Sequence, residues 1–483
     1  MKILKYSAPA ACLLLFHLSV ATAQVDPGPR PGPAGAGGPI RGLSANDEKL
    51  FWASWERFKK VYSVSGKLEA GVGLGPGFNG NSCAQCHAQP AAGGSSPSPL
   101  SPQVRQVILD SHQHLTLAPT SNPLVALASL DRQPGHDQKV PSFLSKDGPV
   151  RVPRFIRNAD GTLDGSTHNL YTIAGRVDAP DCNEPQTDFE SQIASHNVVY
   201  RVPTPTFGGG LIESISDTSL IQNHEATQAE RKALGIGGRF NRSSNDGTIS
   251  RFGWKAQNKS LMIFAAESYS VEMGVTSETF PDKRIQGPGC VLNALPEDRI
   301  RVEAPSNAFS TSSELASDVV NFASFMRLSA PPSPATHSPS ELNGKALFRK
   351  IGCATCHSPS LTTGKSSFEG MSQVKIEPYS DFALHHMGSR LSDDISQGLA
   401  GADEFRTAPL WGLGQRIFFL HDGRTSDLLD AIEWHSDKVR KSGIGRRRDD
   451  QEMFSSEANI VIQNFDSLPS SEKQDLLNFL RSL

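Results

Sequence analysis

The chain has 483 residues, enough for two or three domains, and its 37% hydrophobic content is typical of a globular protein rather than a fibrous one. The formal net charge of −3 at pH 7, without long blocks of Lys and Arg, argues against nucleic acid or an anionic membrane as the partner. One short basic run, Arg446-Arg447-Arg448, is more typical of a solvated loop than of a docking patch for an acidic partner.

Residues 1–23 have the features of a secretory signal. Two lysines precede a short apolar stretch, and Ala21-Thr22-Ala23 follows as an Ala-x-Ala cleavage site. The apolar stretch is too short to span a bilayer comfortably, and no later segment approaches the necessary length. We therefore predict cleavage before Gln24, export to the periplasm and no stable membrane insertion.

The next residues divide the chain into regions. Residues 24–43 are so rich in Pro and Gly that we predict a flexible leader that does not pack. Order is expected from Ser44, where the sequence predicts a helix with Phe51, Trp55 and Phe58 on one apolar face. A second Pro-rich break separates a predicted N-terminal domain, 44–330, from a C-terminal domain, 341–483, with 331–340 as the linker.

Local patterns indicate the fold class. Ser338 and Glu341 have the spacing of a capping box, which predicts a helix at the start of the C-terminal domain. A capped amphipathic helix from Ser471 onward is expected to close that domain. Between 100 and 330, turn-forming residues recur beside β-like runs such as 197–200. The predicted fold is mainly α, with many loops and a few short strands.

Seven cysteines supply the next clue. Cys12 lies within the signal, and four others form two copies of the pattern Cys-x-x-Cys-His. Cys182 and Cys290 remain. In an oxidising compartment two such residues most simply pair, so we predict a disulfide between them. A redox-active thiol pair is the less favoured alternative, because the two lie far apart without Cys-x-x-Cys spacing.

The Cys-x-x-Cys-His pattern is that of covalent haem attachment. The two copies are Cys83, Cys86 and His87, and Cys353, Cys356 and His357. Two thiols three positions apart form thioether bonds to the haem vinyl groups, and the following histidine becomes an axial ligand of the iron. A zinc site would need four clustered ligands, and a thioredoxin-like dithiol needs no following histidine. The pattern predicts two covalently bound haem c groups in two c-type cytochrome-like domains, the N-terminal one enlarged by insertions.

Further segments resemble the bacterial di-haem oxidoreductase family, whose members are described as thiol oxidoreductase-like peroxidases. These segments are RTAPLWGLG (406–414), FLHDGR (419–424), AIEWH (431–435), RVPTPTFGGGLIE (201–213), RFGWK (251–255) and VEMG (271–274). Both halves also resemble, more distantly, the di-haem cytochrome c peroxidases and the related enzyme that matures tryptophan tryptophylquinone. That resemblance implies an electron-entry haem in the C-terminal half and a peroxide-reacting haem in the N-terminal half.

The resemblance also implies an axial ligand for the C-terminal haem. In the peroxidases a ligand lies at a fixed spacing after the His of a His-Asp-Gly segment. Counting from His421 by that spacing reaches His435, which would give a bis-histidine iron with His357. The peroxidases carry methionine there, so the departure implies a lower reduction potential. Met387 is the rival ligand.

For the N-terminal haem, the peroxidases place a catalytic glutamate in a Val-Glu-Met segment, which here contains Glu272. A carboxylate near the iron would carry a proton between the two oxygens of peroxide. The alternative is a solvent-facing glutamate at a helix end. Four histidines could instead cap this iron, although each is more simply an ordinary surface residue: His112, His114, His168 and His196.

Four other residues are candidates for work around the haems. Arg406 and Arg424 are predicted to bind haem propionates, because a guanidinium matches a carboxylate in bidentate fashion. Trp254 and Trp411 could relay electrons between the haems, but filling space in a core is the more common role of a buried aromatic residue.

The leading functional hypothesis is a periplasmic peroxidase that takes electrons from a periplasmic donor and passes them to a small oxidant such as peroxide. A non-catalytic electron carrier with two six-coordinate haems is an alternative, although the N-terminal half is much larger than one haem requires. A haem-dependent oxidase or oxygenase acting on a protein or organic substrate is a third. The thiol oxidoreductase label has little support, because only two cysteines lie outside the signal and the haem motifs.

Overall fold

A computed structural model describes residues 24–63, 73–97, 122–128, 138–146, 148–173, 180–282, 284–290, 296–300, 315–437 and 455–483. The predicted signal, His112, His114 and the basic run at 446–448 lie outside these ranges. In the part of the chain that is described, no helix combines the length and the apolar character needed to cross a membrane.

Helices dominate the described residues, as predicted. They are α1 (Ala45–Lys59), α2 (Cys83–Cys86), α3 (Pro123–Leu127), α4 (Phe189–Ala194), α5 (Gly209–Glu213), α6 (Asp217–Ala226), α7 (Gln228–Leu234), α8 (Leu261–Met273), α9 (Asp318–Leu328), α10 (Pro339–Lys350), α11 (Leu428–Glu433), α12 (Asn459–Asp466) and α13 (Ser470–Ser482). Short 3₁₀ turns cover Cys353–Thr355, Glu369–Met371 and Leu413–Gln415.

The strands are short and pair only in twos within the described ranges. They are β1 (Gly77–Phe78), β2 (Val152–Phe155), β3 (Tyr171–Thr172), β4 (Val198–Arg201), β5 (Leu361–Thr362), β6 (Lys375–Ile376), β7 (Leu384–His386) and β8 (Glu404–Arg406). The antiparallel pairs are β1–β3, β2–β4, β5–β6 and β7–β8. The mainly α fold with a few short strands is confirmed, and β4 contains most of the β-like run predicted at 197–200.

Helices α1 and α9 pack together in the N-terminal half. Ser44 caps α1 by accepting a hydrogen bond from the Asp47 N–H, which satisfies one of the free donors at a helix start. Phe51 and Phe58 are buried on the predicted apolar face of α1, and the Phe58 ring lies 4.4 Å from that of Phe325 in α9. The helix that precedes the first Cys-x-x-Cys-His motif is thus held by aromatic packing.

The C-terminal half repeats this arrangement with α10 and α13. The capping box predicted at Ser338 and Glu341 is present, with each residue's side chain accepting from the other's backbone N–H. Gly344 lies at the crossing of the two helices, where any Cβ would collide with the backbone of Asp475. The Phe348 ring in α10 lies 5.6 Å from that of Phe479 in α13, matching the aromatic contact in the other half.

Two large hydrophobic cores and two small clusters lie within the described ranges. The smaller core belongs to the C-terminal half and includes Phe348, Phe465 and Phe479. The larger core centres on the N-terminal half but also contains Phe382 and Trp411. Side chains from beyond the predicted linker therefore complete the core of the first half, which fixes how the two halves meet.

The prediction that residues 24–43 do not pack is wrong. The Asp26 carboxylate forms a buried ion pair with Arg481 in α13 and accepts a hydrogen bond from the Leu428 N–H of α11. The Arg30 N–H donates to the Gly414 carbonyl (2.7 Å), and Ile40 is buried. An extended Pro-rich segment can dock through its backbone and a single charged side chain, without an apolar stripe for the sequence to reveal.

The predicted disulfide is confirmed. Cys182 and Cys290 are bonded and buried, and they close a sequence separation of 108 residues. Closing so long a loop restricts the unfolded chain and stabilises the fold by about 3–5 kcal/mol in the loop-entropy description.

Candidate functional site

The first Cys-x-x-Cys-His motif forms the single turn of α2 and the residue after it. The His87 N–H donates to the Cys83 carbonyl (3.0 Å), which brings the histidine back over the turn. Its ring nitrogen Nδ1 donates to the Gly94 carbonyl (3.0 Å), so Nε2 carries the lone pair. Burial lowers the pKa of His87 to about 4. A neutral imidazole held in this tautomer is the form that ligates iron.

The second motif repeats this geometry with different neighbours. The His357 N–H donates to the Cys353 carbonyl (3.0 Å), and Nδ1 donates to the Tyr379 carbonyl (3.0 Å). Burial, aided by the nearby His435, lowers the pKa of His357 to about 4. The ring of Phe348 lies 6.3 Å away, as the ring of Phe58 lies 6.2 Å from His87.

The thiols of both motifs are protonated at neutral pH. Burial raises the pKa of Cys83 to about 12, and the charges of Asp318 and Glu272 act in the same direction. Burial likewise raises the pKa of Cys353 to about 12. Thiol catalysis uses a thiolate stabilised by positive surroundings, whereas the charges that act on Cys83 and Cys86 are negative. Attachment of a cofactor through sulfur agrees better with their environment.

His435 lies next to His357. It follows α11 by two residues, and its Nδ1 donates to the Ala431 carbonyl (2.8 Å), again leaving Nε2 as the free lone pair. Burial lowers the pKa of His435 as well. Met387 follows β7, where its N–H donates to the Asp403 carbonyl (2.9 Å). Of the two predicted ligands, His435 is the one that acts electrostatically on His357. Its imidazole also resembles those of the two motifs, because Nδ1 bonds to a carbonyl and Nε2 keeps its lone pair.

Glu272 belongs to the N-terminal site. It lies in the last turn of α8, half-buried, and its carboxylate accepts a hydrogen bond from the Asn79 amide (2.9 Å). Its carbonyl accepts from the N–H groups of Asn79 and Gly80, which joins the end of α8 to the chain entering α2. Burial raises the pKa of Glu272, opposed by Asn79 and Arg284. Its charge also acts on Cys86, the second thiol of this motif.

The two described histidines that were alternatives for this iron are engaged or exposed. His168 shares a hydrogen bond with Asp164 (2.6 Å) and stacks on Phe155 at 3.7 Å between ring centroids. His196 is exposed, with a backbone φ of 56° in the left-handed region. His168 is thus engaged by Asp164 and Phe155, and His196 is exposed to solvent.

A pocket lies where the two halves meet, between residues of the segments 204–212, 251–264 and 406–416. Its lining is largely apolar and aromatic, and includes Phe207, Phe252, Phe264, Trp254, Trp411, Arg251, Arg406 and Arg416. Trp254 and Trp411, the two candidates for electron relay, both line this pocket. The Trp254 indole N–H donates to the Val202 carbonyl (2.9 Å). A largely apolar lining that includes arginines suits a mainly apolar group with anionic ends.

The pocket's positive charge comes from Arg406 and Arg416. Burial lowers the pKa of each to about 10, and the charge of Arg416 lowers that of Arg406 further. Arg406 donates to the carbonyls of Gly253 and Thr407, while the Arg416 guanidinium has no hydrogen-bond or carboxylate partner in the described ranges. Two adjacent buried cations favour a bound anion. Arg406 therefore fits its predicted role in propionate binding.

Arg424 is less suited to that role, because its guanidinium is already paired. It contacts the Asp422 carboxylate through Nε at 2.8 Å and Nη2 at 2.7 Å. Arg416, which we did not single out from the sequence, is the better partner for Arg406. Nothing in the local pattern around Arg416 reveals that its side chain turns into the pocket.

A buried charge cluster beside the second motif was also missed. His385 contacts the Asp381 carboxylate through Nε2 (3.0 Å) and the Glu457 carboxylate through Nδ1 (2.6 Å). Burial opposes its charge, but the adjacent carboxylates, Asp381 among them, outweigh burial and raise the pKa of His385 well above its usual range. Glu457 is far from His385 in the sequence, so only the fold brings these three residues together.

The residues present fit two haem groups. Each motif offers two thiols and a neutral imidazole with a free Nε2, and the pocket between the halves offers two cations without carboxylate partners. His87 and His357 would be the proximal ligands, and His435 the second ligand of one iron.

Comparison with solved structures gives low similarity. The crystal structure of a MauG-like protein associated with microbial copper homeostasis is 20% identical over 36% of this chain and 55% of that chain, with a TM-score of 0.25. The diheme peroxidase BthA from Burkholderia thailandensis is 15% identical over 48% of this chain and 65% of that one, with a TM-score of 0.28. The chain thus spans less than two thirds of either structure. No curated protein matches.

A family model gives a longer match. Residues 154–483 match the family described as "Di-haem oxidoreductase, putative peroxidase". The matched region contains the second motif, Glu272, Arg406 and His435, whereas the first motif precedes it. Because the match covers well over half of the sequence, this chain belongs to the di-haem oxidoreductase family.

Proposed function

We propose that this protein is an exported di-haem c-type cytochrome that reduces peroxide at its N-terminal haem with electrons received through its C-terminal haem. The observation that carries the proposal is the asymmetry of two otherwise similar sites. His435 stands beside His357, whereas the acidic residue Glu272 stands at the site of His87.

Each half is proposed to be one cytochrome c-like domain. In each, a helix leads into the Cys-x-x-Cys-His motif and packs against the last helix of its half, α1 with α9 and α10 with α13. Thioether bonds to the motif cysteines would hold the porphyrin, and a phenylalanine of the leading helix packs near the proximal histidine in both halves. The residues between α2 and α9 enlarge the first domain.

The C-terminal site is proposed to be the point of electron entry. With His357 and His435 as axial ligands, an iron has no open position for a substrate. The backbone carbonyls of Tyr379 and Ala431 fix both imidazoles in the ligating tautomer. Little rearrangement of these side chains would therefore accompany a change in the charge of the iron. A periplasmic donor would supply the electrons.

The N-terminal site is proposed to be the catalytic one. A haem held by His87 would bind peroxide and supply the electrons that break the O–O bond. Glu272 would take the proton from the oxygen nearer the iron and deliver it to the leaving oxygen, which departs as water. The raised pKa of Glu272 brings it closer to neutral pH, where it can both accept and give a proton. The Asn79 amide would hold the carboxylate in position.

Electron paramagnetic resonance on haem-loaded protein tests the proposal. The resting ferric or half-reduced protein should show one low-spin and one high-spin haem, and the high-spin signal should change when hydrogen peroxide is added. Peroxide consumption with a reduced c-type cytochrome as donor should accompany that change. Two low-spin haems at every redox poise, without peroxide consumption, would instead identify an electron carrier.

A further inference from the structure

Two buried tyrosines share one carboxylate oxygen near the N-terminal haem site. The hydroxyls of Tyr62 and Tyr269 donate to Oδ2 of Asp318, at 2.5 Å and 3.0 Å. Their rings lie 5.8 Å apart between centroids, and both residues are 2% exposed. A carboxylate that accepts two phenol hydrogen bonds is positioned to take a proton from either phenol.

Backbone contacts join this cluster to the first haem motif. The Tyr62 N–H donates to the Asn81 carbonyl (2.8 Å), and Asn81 lies just before Cys83. Tyr269 lies in α8 about one turn before Glu272, the proposed acid-base group. Both Tyr62 and Asp318 act electrostatically with Cys83, where one thioether would form. The phenols are thus close to the edge of the proposed N-terminal porphyrin.

The cluster also has a balancing charge. Oδ1 of Asp318 contacts Arg57 Nε at 3.1 Å, and the Arg57 side chain is 27% exposed. The Asp318 side chain is nearly enclosed, so the guanidinium offsets the negative charge that burial would otherwise disfavour. A proton transferred to the Asp318 carboxylate would weaken its attraction to Arg57. The transfer would require no movement of the side chains involved.

We propose that Tyr62 and Tyr269 are an internal electron donor for the N-terminal haem site. This inference rests on the proposed function, because hydrogen peroxide is the oxidant. Reduction of one H2O2 to two H2O takes two electrons and two protons. One electron comes from the C-terminal haem and one from a tyrosine, whose O–H proton moves to the Asp318 carboxylate. The two protons that enter the water molecules come from solvent, with Glu272 as their carrier at the peroxide. The product is one neutral tyrosyl radical, shared between two phenols that contact the same oxygen.

This arrangement gives the protein a second electron when the C-terminal haem can supply only one. Tyr171 provides a natural contrast within the same core. It is also buried, but its hydroxyl donates to the Leu124 backbone carbonyl (2.7 Å), which does not accept a full proton under these conditions. A buried phenol alone is therefore not sufficient, and the carboxylate distinguishes the Tyr62 and Tyr269 pair.

The test is freeze-quench electron paramagnetic resonance of the haem-loaded protein, reduced by one electron and mixed with hydrogen peroxide. Wild type should give a radical signal that narrows when the protein is made with ring-deuterated tyrosine. The double variant Tyr62→Phe/Tyr269→Phe removes only two hydroxyls and should lose the signal. Asp318→Asn keeps both phenols and should also lose it, whereas Tyr171→Phe should retain it. Absorbance of the haems confirms that each variant is folded and loaded.

The outcomes distinguish the internal tyrosine donor from the proposed peroxide reduction on which it rests. If peroxide alters the high-spin haem but wild type gives no tyrosyl signal, or the double variant keeps it, the internal donor is refuted while peroxide reduction stands. If peroxide leaves the haem spectra of wild type unchanged, both are refuted. Loss of the signal in the double variant and in Asp318→Asn, with Tyr171→Phe unaffected, supports the donor.

Discussion

The two Cys-x-x-Cys-His sites have the same arrangement around the motif histidine. They differ in the residues that distant parts of the chain bring to them. In both, the histidine N–H bonds back to the first cysteine, Nδ1 bonds to a carbonyl, and burial lowers the histidine pKa to about 4. The C-terminal site then receives His435 from the region after α11, while the N-terminal site receives Glu272 from α8. The same short motif thus occurs at two sites, and residues distant from it in the sequence distinguish the chemistry proposed for each site.

The two sites also differ in their surrounding charges. Glu272 and Asp318 act on the thiols of the first motif. The second motif lies beside His435 and the His385 cluster. Under the proposed function, acidic groups at the first site would exchange protons with a substrate, and the imidazoles of His357 and His435 at the second would hold an iron.

Substitution of the two cysteines of one motif at a time should have the largest effect on haem content and on the spin-state signals that distinguish the two sites. Cys353→Ala/Cys356→Ala should lose one covalent haem and the low-spin signal, and peroxide turnover with an external donor should stop because electrons no longer enter. Cys83→Ala/Cys86→Ala should lose the other haem and the high-spin signal. Intact-protein mass and electron paramagnetic resonance check both results. Loss of the same signal in both variants would contradict the division of roles.

Substitution of Glu272 should have the next largest effect. Glu272→Gln keeps the size of the side chain but cannot carry the proton, so the rate of reaction with peroxide should fall by roughly 10²- to 10⁴-fold. In wild type that rate should fall as pH drops through the raised pKa of Glu272, because the carboxylate must be ionised to accept the peroxide proton. The variant's rate should lack this pH dependence.

Glu267→Gln is the matched control, because Glu267 lies in the same helix and bonds to the Asn258 amide instead. Stopped-flow absorbance of the haem measures all three proteins. A Glu272→Gln rate equal to that of Glu267→Gln would assign Glu272 to a structural role.

Substitution of His435 should change the spin state without removing a haem. In His435→Ala the C-terminal iron loses one imidazole, so its low-spin signal should become high-spin while both haems stay attached. Met387→Leu should leave the low-spin signal unchanged. The opposite pattern, with Met387→Leu converting the signal, would make methionine the ligand and remove one of the contrasts between the two sites.

The sequence predicted those features that depend on nearby residues. The first helix and the capping box at Ser338 were accessible because apolar spacing and local capping determine them. The closing helix was accessible from its apolar spacing, although no side chain caps its start. The disulfide was accessible because only Cys182 and Cys290 remained once the signal and the haem motifs were assigned. Glu272 and His435 were reached only through the resemblance to related proteins.

Other contacts between distant residues could not be predicted. Asp26 pairs with Arg481 across nearly the whole chain, and His385 meets Glu457 across a sequence separation of 72 residues. Arg416 follows a short 3₁₀ turn whose sequence does not show that its side chain enters a pocket. Such contacts require the tertiary fold, because the energy of each depends on burial and on a partner that local sequence does not specify.

The pocket arginines give the smallest expected effect and a test of which haem uses the pocket. Arg416→Gln removes an unpartnered buried cation, so the reduction potential of the neighbouring haem should fall, because ferric iron is then less disfavoured. Coulomb's law with an effective dielectric constant of about 20 gives roughly 1–2 kcal/mol for charges about 8–15 Å apart. Arg424→Gln should shift the potential less, because Asp422 already neutralises that charge. Spectroelectrochemical titration resolves the two haems, and a larger shift in Arg424→Gln than in Arg416→Gln would return the propionate role to Arg424.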